Sequence, residues 1–160
     1  MKTAIAVFFT VFGADQLSKW YILENYGDNP SKIDHVTNFF NILLAWNRGV
    51  SFSFFAEGGD YTPYILSVLT ASITLGIIIW ALREKDFYNR LFLAMIAGGA
   101  VGNLTDRIRF KAVIDFLDFY IGEYHWPAFN IADSAISVGA ILFLVYSYMK
   151  NFKTKESEEK

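Results

Sequence analysis

The chain has 160 residues, 54% of them hydrophobic and 18% aromatic, with a net charge of −2. The length allows one domain, and the composition suits a bundle of membrane helices better than an average soluble domain. The small negative charge gives no reason to expect nucleic acid, and the absence of cysteine excludes disulfides, thiolate metal sites and a cysteine nucleophile.

A membrane span needs about 20 mostly apolar residues. Four stretches qualify: roughly Thr3 to Leu23, Pro63 to Leu82, Tyr88 to Ile108 and Phe129 to Met149. They predict an all-α membrane protein with four transmembrane helices in a single integral domain over residues 1–150. The segment 151–160 is polar and charged and is expected to be a disordered tail. Lys2 precedes an apolar run, as in a signal peptide. No small-residue cleavage site follows, however, and the apolar pattern continues past Asp15, so the first segment is read as retained. Lys and Arg concentrate at the termini and in the R-E-K-D-F connection between the second and third spans. This bias predicts that both termini are cytoplasmic. The longer connections, about Glu24 to Thr62 and Arg109 to Ala128, then lie on the outer side.

In the first span Asp15 and Lys19 are four residues apart and share one helix face. Intramembrane charges commonly pair with each other, so a buried ion pair locking this helix to its neighbours is the favoured reading. The first outer connection contains F-F-N-I-L-L-A-W-N-R-G-V-S-F-S-F-F. Ser51 to Phe54 alternate with the period of a half-buried strand, and Gly49 suits a hairpin turn. A small β-sheet on the outer membrane surface, with Trp46 touching lipid or substrate, and an ordinary packed loop are both open.

The third span carries G-G-A-V-G-N-L-T-D-R. Gly98 and Gly102 are four apart, so another backbone, that of a substrate included, can approach closely there. Asn103, Asp106 and Arg107 follow near one stripe. Asp106 and Arg107 either support a site or end the helix at the interface. Beyond them, A-V-I-D-F-L-D-F-Y-I reads as a strand or a membrane-hugging segment. In a strand Asp115 and Asp118 point to opposite faces, and one of the two is expected to be solvated. With Asn130 as N-cap, Asp133 falls at the third helical position, where a capping-box carboxylate belongs.

The third and fourth spans run antiparallel, so the end of one and the start of the other share the outer face. Asp115 and Asp133 can meet there. Two close carboxyls share one proton: the ionised member takes a proton from water and the protonated member polarises an amide carbonyl. The helix N-terminus near Asp133 favours charge there, so the proton is expected more on Asp115. No H-E-x-x-H, G-x-S-x-G or Walker loop is present. His35 and His125 stand alone in the outer connections, and neither a metal nor a cofactor is expected.

These motifs together resemble the bacterial lipoprotein signal peptidases, the type II signal peptidases, which are intramembrane aspartic proteases. The resemblance rests on D-Q-L-S-K at Asp15 to Lys19, N-R-G-V-S-F at Asn47 to Phe52, G-N-L-T-D-R at Gly102 to Arg107, V-I-D-F at Val113 to Phe116 and F-N-I-A-D-S at Phe129 to Ser134. It implies that Asp115 and Asp133 are the catalytic pair. It further implies supporting or substrate-contacting roles for Asn47, Gly49, Asn103, Arg107 and Asn130, and structural roles for Asp15, Lys19 and Asp106. The implied reaction removes the signal peptide from a diacylglyceryl-modified prolipoprotein, just before the lipidated cysteine. The implied setting is the bacterial cell membrane, with the active site toward the outer face, and the implied inhibitor is globomycin. The partners are then the bilayer and the prolipoprotein, with the enzyme expected to act as a monomer. Val50 and Ser51 depart from the two alanines often found in the family, which bears on the fit of substrate near that loop. A rival from another class is a small proton-coupled transporter or channel subunit, since intramembrane Asp, Lys and Arg also mark ion pathways. Clustering of the ionisable groups on one face and the lack of inverted repeats disfavour it.

Overall fold

The computed structural model describes residues 1–49 and 62–158. Four helices carry the chain: α1 (Lys2–Tyr26), α2 (Thr62–Arg83), α3 (Phe87–Phe110) and α4 (Ile131–Glu158). Four strands, β1 (Ile33–Thr37), β2 (Phe40–Asn47), β3 (Val113–Ile121) and β4 (Tyr124–His125), form an antiparallel sheet in the order β1-β2-β3-β4. The small sheet is therefore present, and it draws on both long connections. The alternating run at Ser51 to Phe54 lies outside the described residues.

α3 is the central helix and packs against α1, α2 and α4. Its glycines make this possible. A Cβ on Gly98 would lie 2.7 Å from the Phe8 carbonyl oxygen of α1, and one on Gly99 would lie 2.5 Å from the Ala132 carbonyl oxygen of α4. A Cβ on Gly102 would run into the Asp15 carboxylate. These small residues thus receive the protein's own helices, which corrects the expectation that they admit a substrate backbone. α3 begins at Asp86, whose side chain accepts the Asn89 N–H at 3.0 Å, and ends at Lys111 in the left-handed region at φ 59°.

Among the described residues two helices, over Tyr64–Arg83 and Ile131–Phe152, are long and apolar enough to cross a membrane. α1 and α3 are equally long, but Asp15 and Lys19 interrupt one, and Asn103, Asp106 and Arg107 the other. The helices present large apolar side chains outward, including Phe9, Leu17 and Trp20 on α1, Val68, Ile73 and Leu75 on α2, and Ile141, Leu144 and Tyr148 on α4. Exposed apolar faces of this kind mark contact with a membrane or with another protein. α4 does not stop at Met149: it continues through Glu158, so the tail expected to be disordered is helical over most of its length. Lys and Glu are good helix formers, and an established helix extends into them without a new nucleus.

The sheet sits at the end of the bundle where α1 and α3 finish and α4 starts. Ile22 and Tyr26 of α1 form a buried cluster with Leu44 of β2 and Ile114 and Phe116 of β3. After β4 the chain returns beside β3: Phe116 and Leu117 donate their N–H groups to the Phe129 carbonyl, at 3.0 and 2.8 Å. That return delivers Asn130 and the start of α4 to the side of Asp115. At the opposite end Asp86 receives Lys150 at 2.6 Å and the Tyr146 hydroxyl at 3.2 Å, closing α3 onto α4.

Candidate active site

Asp133 lies in the first turn of α4, at the capping-box position expected from the sequence. The Asn130 side-chain oxygen accepts the Asp133 N–H at 2.8 Å, and Asp133 Oδ2 accepts the Asn130 N–H at 3.3 Å. This reciprocal pair is a capping box. Its geometry leaves Asp133 Oδ1 aimed at α3, where it accepts from Asn103 Nδ2 at 2.7 Å. The cap therefore orients the carboxylate and leaves one oxygen for the site.

Asp115 lies on β3 and is 2% exposed. Asn130 Nδ2 donates to Asp115 Oδ1 at 2.7 Å, and Asn47 of β2 hydrogen-bonds the same carboxyl. Asn47 Oδ1 already accepts the Gly49 N–H at 2.9 Å, so its amide NH₂ is the group that meets Asp115. Gly49 holds φ 90°, a backbone state suited to glycine. Burial pushes the Asp115 carboxyl up to about 7, the nearby Asp133 charge adds to the shift, and the two asparagines oppose it. A carboxyl that keeps its proton near neutral pH beside a second carboxyl can act as hydrogen-bond donor and acid, with its neighbour as acceptor and base.

A buried polar layer supports the pair from α1 and α3. Lys19 Nζ is 2.8 Å from Asp15 Oδ2, 2.8 Å from Asp106 Oδ2 and 3.0 Å from Asn103 Oδ1. The pairing of Asp15 with Lys19 is as expected, and it extends to Asp106 on α3. Asp15 accepts the Ala132 N–H at 2.9 Å, and Asp106 accepts the Ile114 N–H at 3.2 Å. Each carboxylate thereby grips the backbone next to a candidate catalytic residue, Asp133 or Asp115. Asn103 passes the layer to the site, since its oxygen also accepts from Asn130 Nδ2 at 3.1 Å. Arg107 lies within electrostatic reach of Asp133, Asp115 and Asp106. Among the described residues no buried side-chain nitrogen or oxygen lacks a partner. A polar network inside an apolar bundle requires that completeness.

Every residue singled out in the sequence for the site is thus drawn into one connected cluster. Gln16 was not singled out: its amide reaches Asp15, Asp106 and the Gly102 carbonyl, and no spacing rule relates it to the other helix. Two other expectations are corrected. Asp118 is buried, not solvated, because both faces of β3 are covered from Val113 to Asp118: Asn41 Nδ2 donates to Asp118 at 2.8 Å and His125 Nδ1 lies 2.9 Å away. His125 is therefore not alone, and neither is His35, whose Nδ1 lies 2.8 Å from Asn41 Oδ1. Trp46 is partly exposed and packs edge-on against Phe110 of α3 at 5.6 Å. Val50 and Ser51 lie outside the described residues.

This arrangement has relatives. A family model described as signal peptidase (SPase) II matches residues 7–149. A protein of Cupriavidus taiwanensis named lipoprotein signal peptidase is 44% identical over 134 residues, covering 82% of this chain and 74% of its own length. One of the same name from Burkholderia thailandensis is 42% identical over 142 residues, covering 87% and 82%. Two solved structures described as bacterial membrane enzymes superpose with TM-scores of 0.79 and 0.78 at 25% and 26% identity. They cover 91% and 97% of this chain, and 92% of each of the solved chains is matched. With the family pattern running through every helix and through the strand that carries Asp115, the chain belongs to the signal peptidase II family.

Proposed function

We propose that the protein is an aspartic endopeptidase of the bacterial membrane that removes the signal peptide from diacylglyceryl-modified prolipoproteins, with Asp115 and Asp133 as its catalytic pair. The observation that carries this reading is the unequal environment of the two carboxyls. Asp115 is buried and raised to about 7 with Asp133 as one of the causes, while Asp133 sits on a helix N-terminus that favours its charge. The relatives' name supplies the substrate class.

In the resting site Asp115 holds the proton and donates a hydrogen bond to the scissile carbonyl oxygen. Asp133 takes a proton from water, whose oxygen attacks the carbonyl carbon. Asp115 gives up its proton to the developing oxyanion, forming a gem-diol. Asp133 passes its proton to the leaving amide nitrogen as the C–N bond breaks, and Asp115 takes a proton back from one gem-diol hydroxyl as it collapses to the acid. The free carboxylic acid and amine depart with one proton left on the pair. Asn130 and Asn47 hold Asp115, and Asn103 holds Asp133, so neither carboxyl reorganises during the step. Arg107 supplies positive charge near the site. Asp15, Lys19 and Asp106 are the frame.

The reading extends to topology. All four helices span the bilayer, with α1 and α3 hiding their charges against each other, both termini cytoplasmic and the sheet on the outer surface. The apolar exteriors of α1, α2 and α4 and the distribution of Lys and Arg support this placement. The domain over residues 1–150 acts as a monomer. The test is cleavage of a lipidated prolipoprotein by purified protein in detergent. Asp115→Asn and Asp133→Asn should each abolish cleavage while thermal unfolding stays cooperative. Near wild-type cleavage by either folded variant removes that residue from the pair.

A further inference from the structure

β2 and β3 do not pair in one register. Phe40, Asn41 and Ile42 oppose Phe119, Asp118 and Leu117; Ala45, Trp46 and Asn47 oppose Asp115, Ile114 and Val113. Leu43 and Leu44 therefore share the single partner Phe116, which is a β-bulge. A one-residue shift exchanges the two faces of a strand. An uninterrupted ladder from the Asn41–Asp118 pair would oppose Leu44 to Asp115 and carry Trp46 to the Asp115 face. With the bulge, Asn47 stands on that face instead, next to Asp115, and Trp46 turns to the Ile114 face. Which side chain meets the Asp115 carboxyl is thus decided by where the register is held on the far side of the bulge.

It is held there by a polar chain that crosses the sheet, buried at its centre and exposed at its two histidine ends. His35 of β1 meets Asn41 Oδ1 at 2.8 Å; since that oxygen only accepts, His35 Nδ1 carries the proton. Asn41 Nδ2 donates to Asp118 Oδ2 at 2.8 Å, and the Asp118 carboxylate is met by His125 Nδ1 of β4 at 2.9 Å. Asn41 and Asp118 are each 3% exposed. A one-residue slip would leave a buried carboxylate and a buried amide without partners, a penalty that hydrophobic side chains at these positions would not impose.

We infer that Asp118, acting with Asn41, is a positioning residue for cleavage: it pins the register from which the bulge brings Asn47 onto Asp115. The inference rests on the aspartic reading of the Asp115–Asp133 pair. Asp118 does not touch the substrate; it acts through Asn47.

The test is a cycle of Asp118→Ala, Asn47→Ala and the double variant, assayed on a lipidated prolipoprotein in detergent. Asp118→Ala should lower kcat by about tenfold or more, with KM changed by less than about threefold, since a misplacement near 1 Å has effects of this order. The double variant should be no slower than the slower single variant, because the two changes remove the same contact. An exchange, Asn41→Asp with Asp118→Asn, keeps a donor and an acceptor at the same cross-strand position and should restore kcat to within about threefold of wild type. Multiplicative losses in the cycle, a wild-type kcat for Asp118→Ala, or a loss confined to KM would each overturn the inference. Should Asp118→Ala not yield folded protein, the exchange decides: folded and active supports the register pin, folded and inactive refutes it. Failure of the aspartic reading shows elsewhere, as cleavage by Asp115→Asn.

Discussion

Lys19→Met tests the buried layer beneath the site. Lys19 is 1% exposed, and its Nζ lies 2.8 Å from each of two carboxylates, Asp15 and Asp106, which are themselves 0% and 1% exposed. Methionine fills nearly the same volume, so the change removes the charge and not the packing. Asp15 then keeps the Gln16 amide at 3.1 Å and the Ala132 N–H at 2.9 Å, and Asp106 keeps Gln16 at 3.3 Å and the Ile114 N–H at 3.2 Å. Those are dipoles, and with Lys19 gone they must hold two buried negative charges with no cation in contact, Arg107 acting on Asp106 only through space. Removing one partner of a buried ion cluster costs about 3–5 kcal/mol. That lowers the folded-to-unfolded ratio by roughly a hundred- to several-thousandfold. Tm in a fixed detergent should fall by on the order of 10 °C. Cleavage should fall as well, because the two carboxylates hold the backbone beside Asp133 and Asp115. Adding Asp106→Asn to Lys19→Met leaves one uncompensated charge instead of two and should recover part of the lost Tm. A Lys19→Met variant that melts within about 2 °C of wild type and cleaves normally would refute the reasoning, since the cluster would then contribute less than about 1 kcal/mol.

Further outcomes follow from the same geometry. Asp115 has its carboxyl raised from the ordinary value of 3.8 to about 7. Its favourable contribution is therefore complete below the ordinary value and is lost as pH rises through 7, a change of about 4 kcal/mol across that window. Asp115→Asn should accordingly raise Tm at pH 8 by clearly more than it does at pH 4, and an equal difference at both pH values would contradict the burial argument. Gly98→Ala and Gly99→Ala drive a methyl group into the backbone of α1 and α4 and should each destabilise by about 1–3 kcal/mol. Gly13→Ala and Gly76→Ala meet nothing within 4 Å and should stabilise by about 0.5–1 kcal/mol, so that thermal melts of the four variants separate into two classes.

The residues proposed to carry the chemistry were legible because a carboxylate, an asparagine or an arginine amid apolar residues contradicts its surroundings. Asp115, Asp133, Asn103 and Asn130 stand out for that reason, and the spacing of Asn130 and Asp133 gave the capping box directly. Helix positions were legible from the length of the apolar runs. Span by span, the ends moved by a few residues, and only α4 overran its expected end substantially, because the polarity of the tail was read as disorder while the helix continues through it. The alternation argument also failed at Asp118: it assumed a strand with one wet face, whereas β3 is covered on both as far as Asp118.

Local pattern, then, determined that this chain forms long apolar helices, where polar groups interrupt them and which pair of carboxyls a turn of helix and a strand would carry. Tertiary structure alone decided that Lys19 serves two helices at once, that Gly98 and Gly99 receive neighbours instead of substrate, and that one extra residue in β2 turns Asn47 and not Trp46 toward Asp115. The reason is physical: periodicity along the chain records which face of an element is apolar, but contacts between elements depend on register and approach distance, and those are set by the packing of the whole bundle.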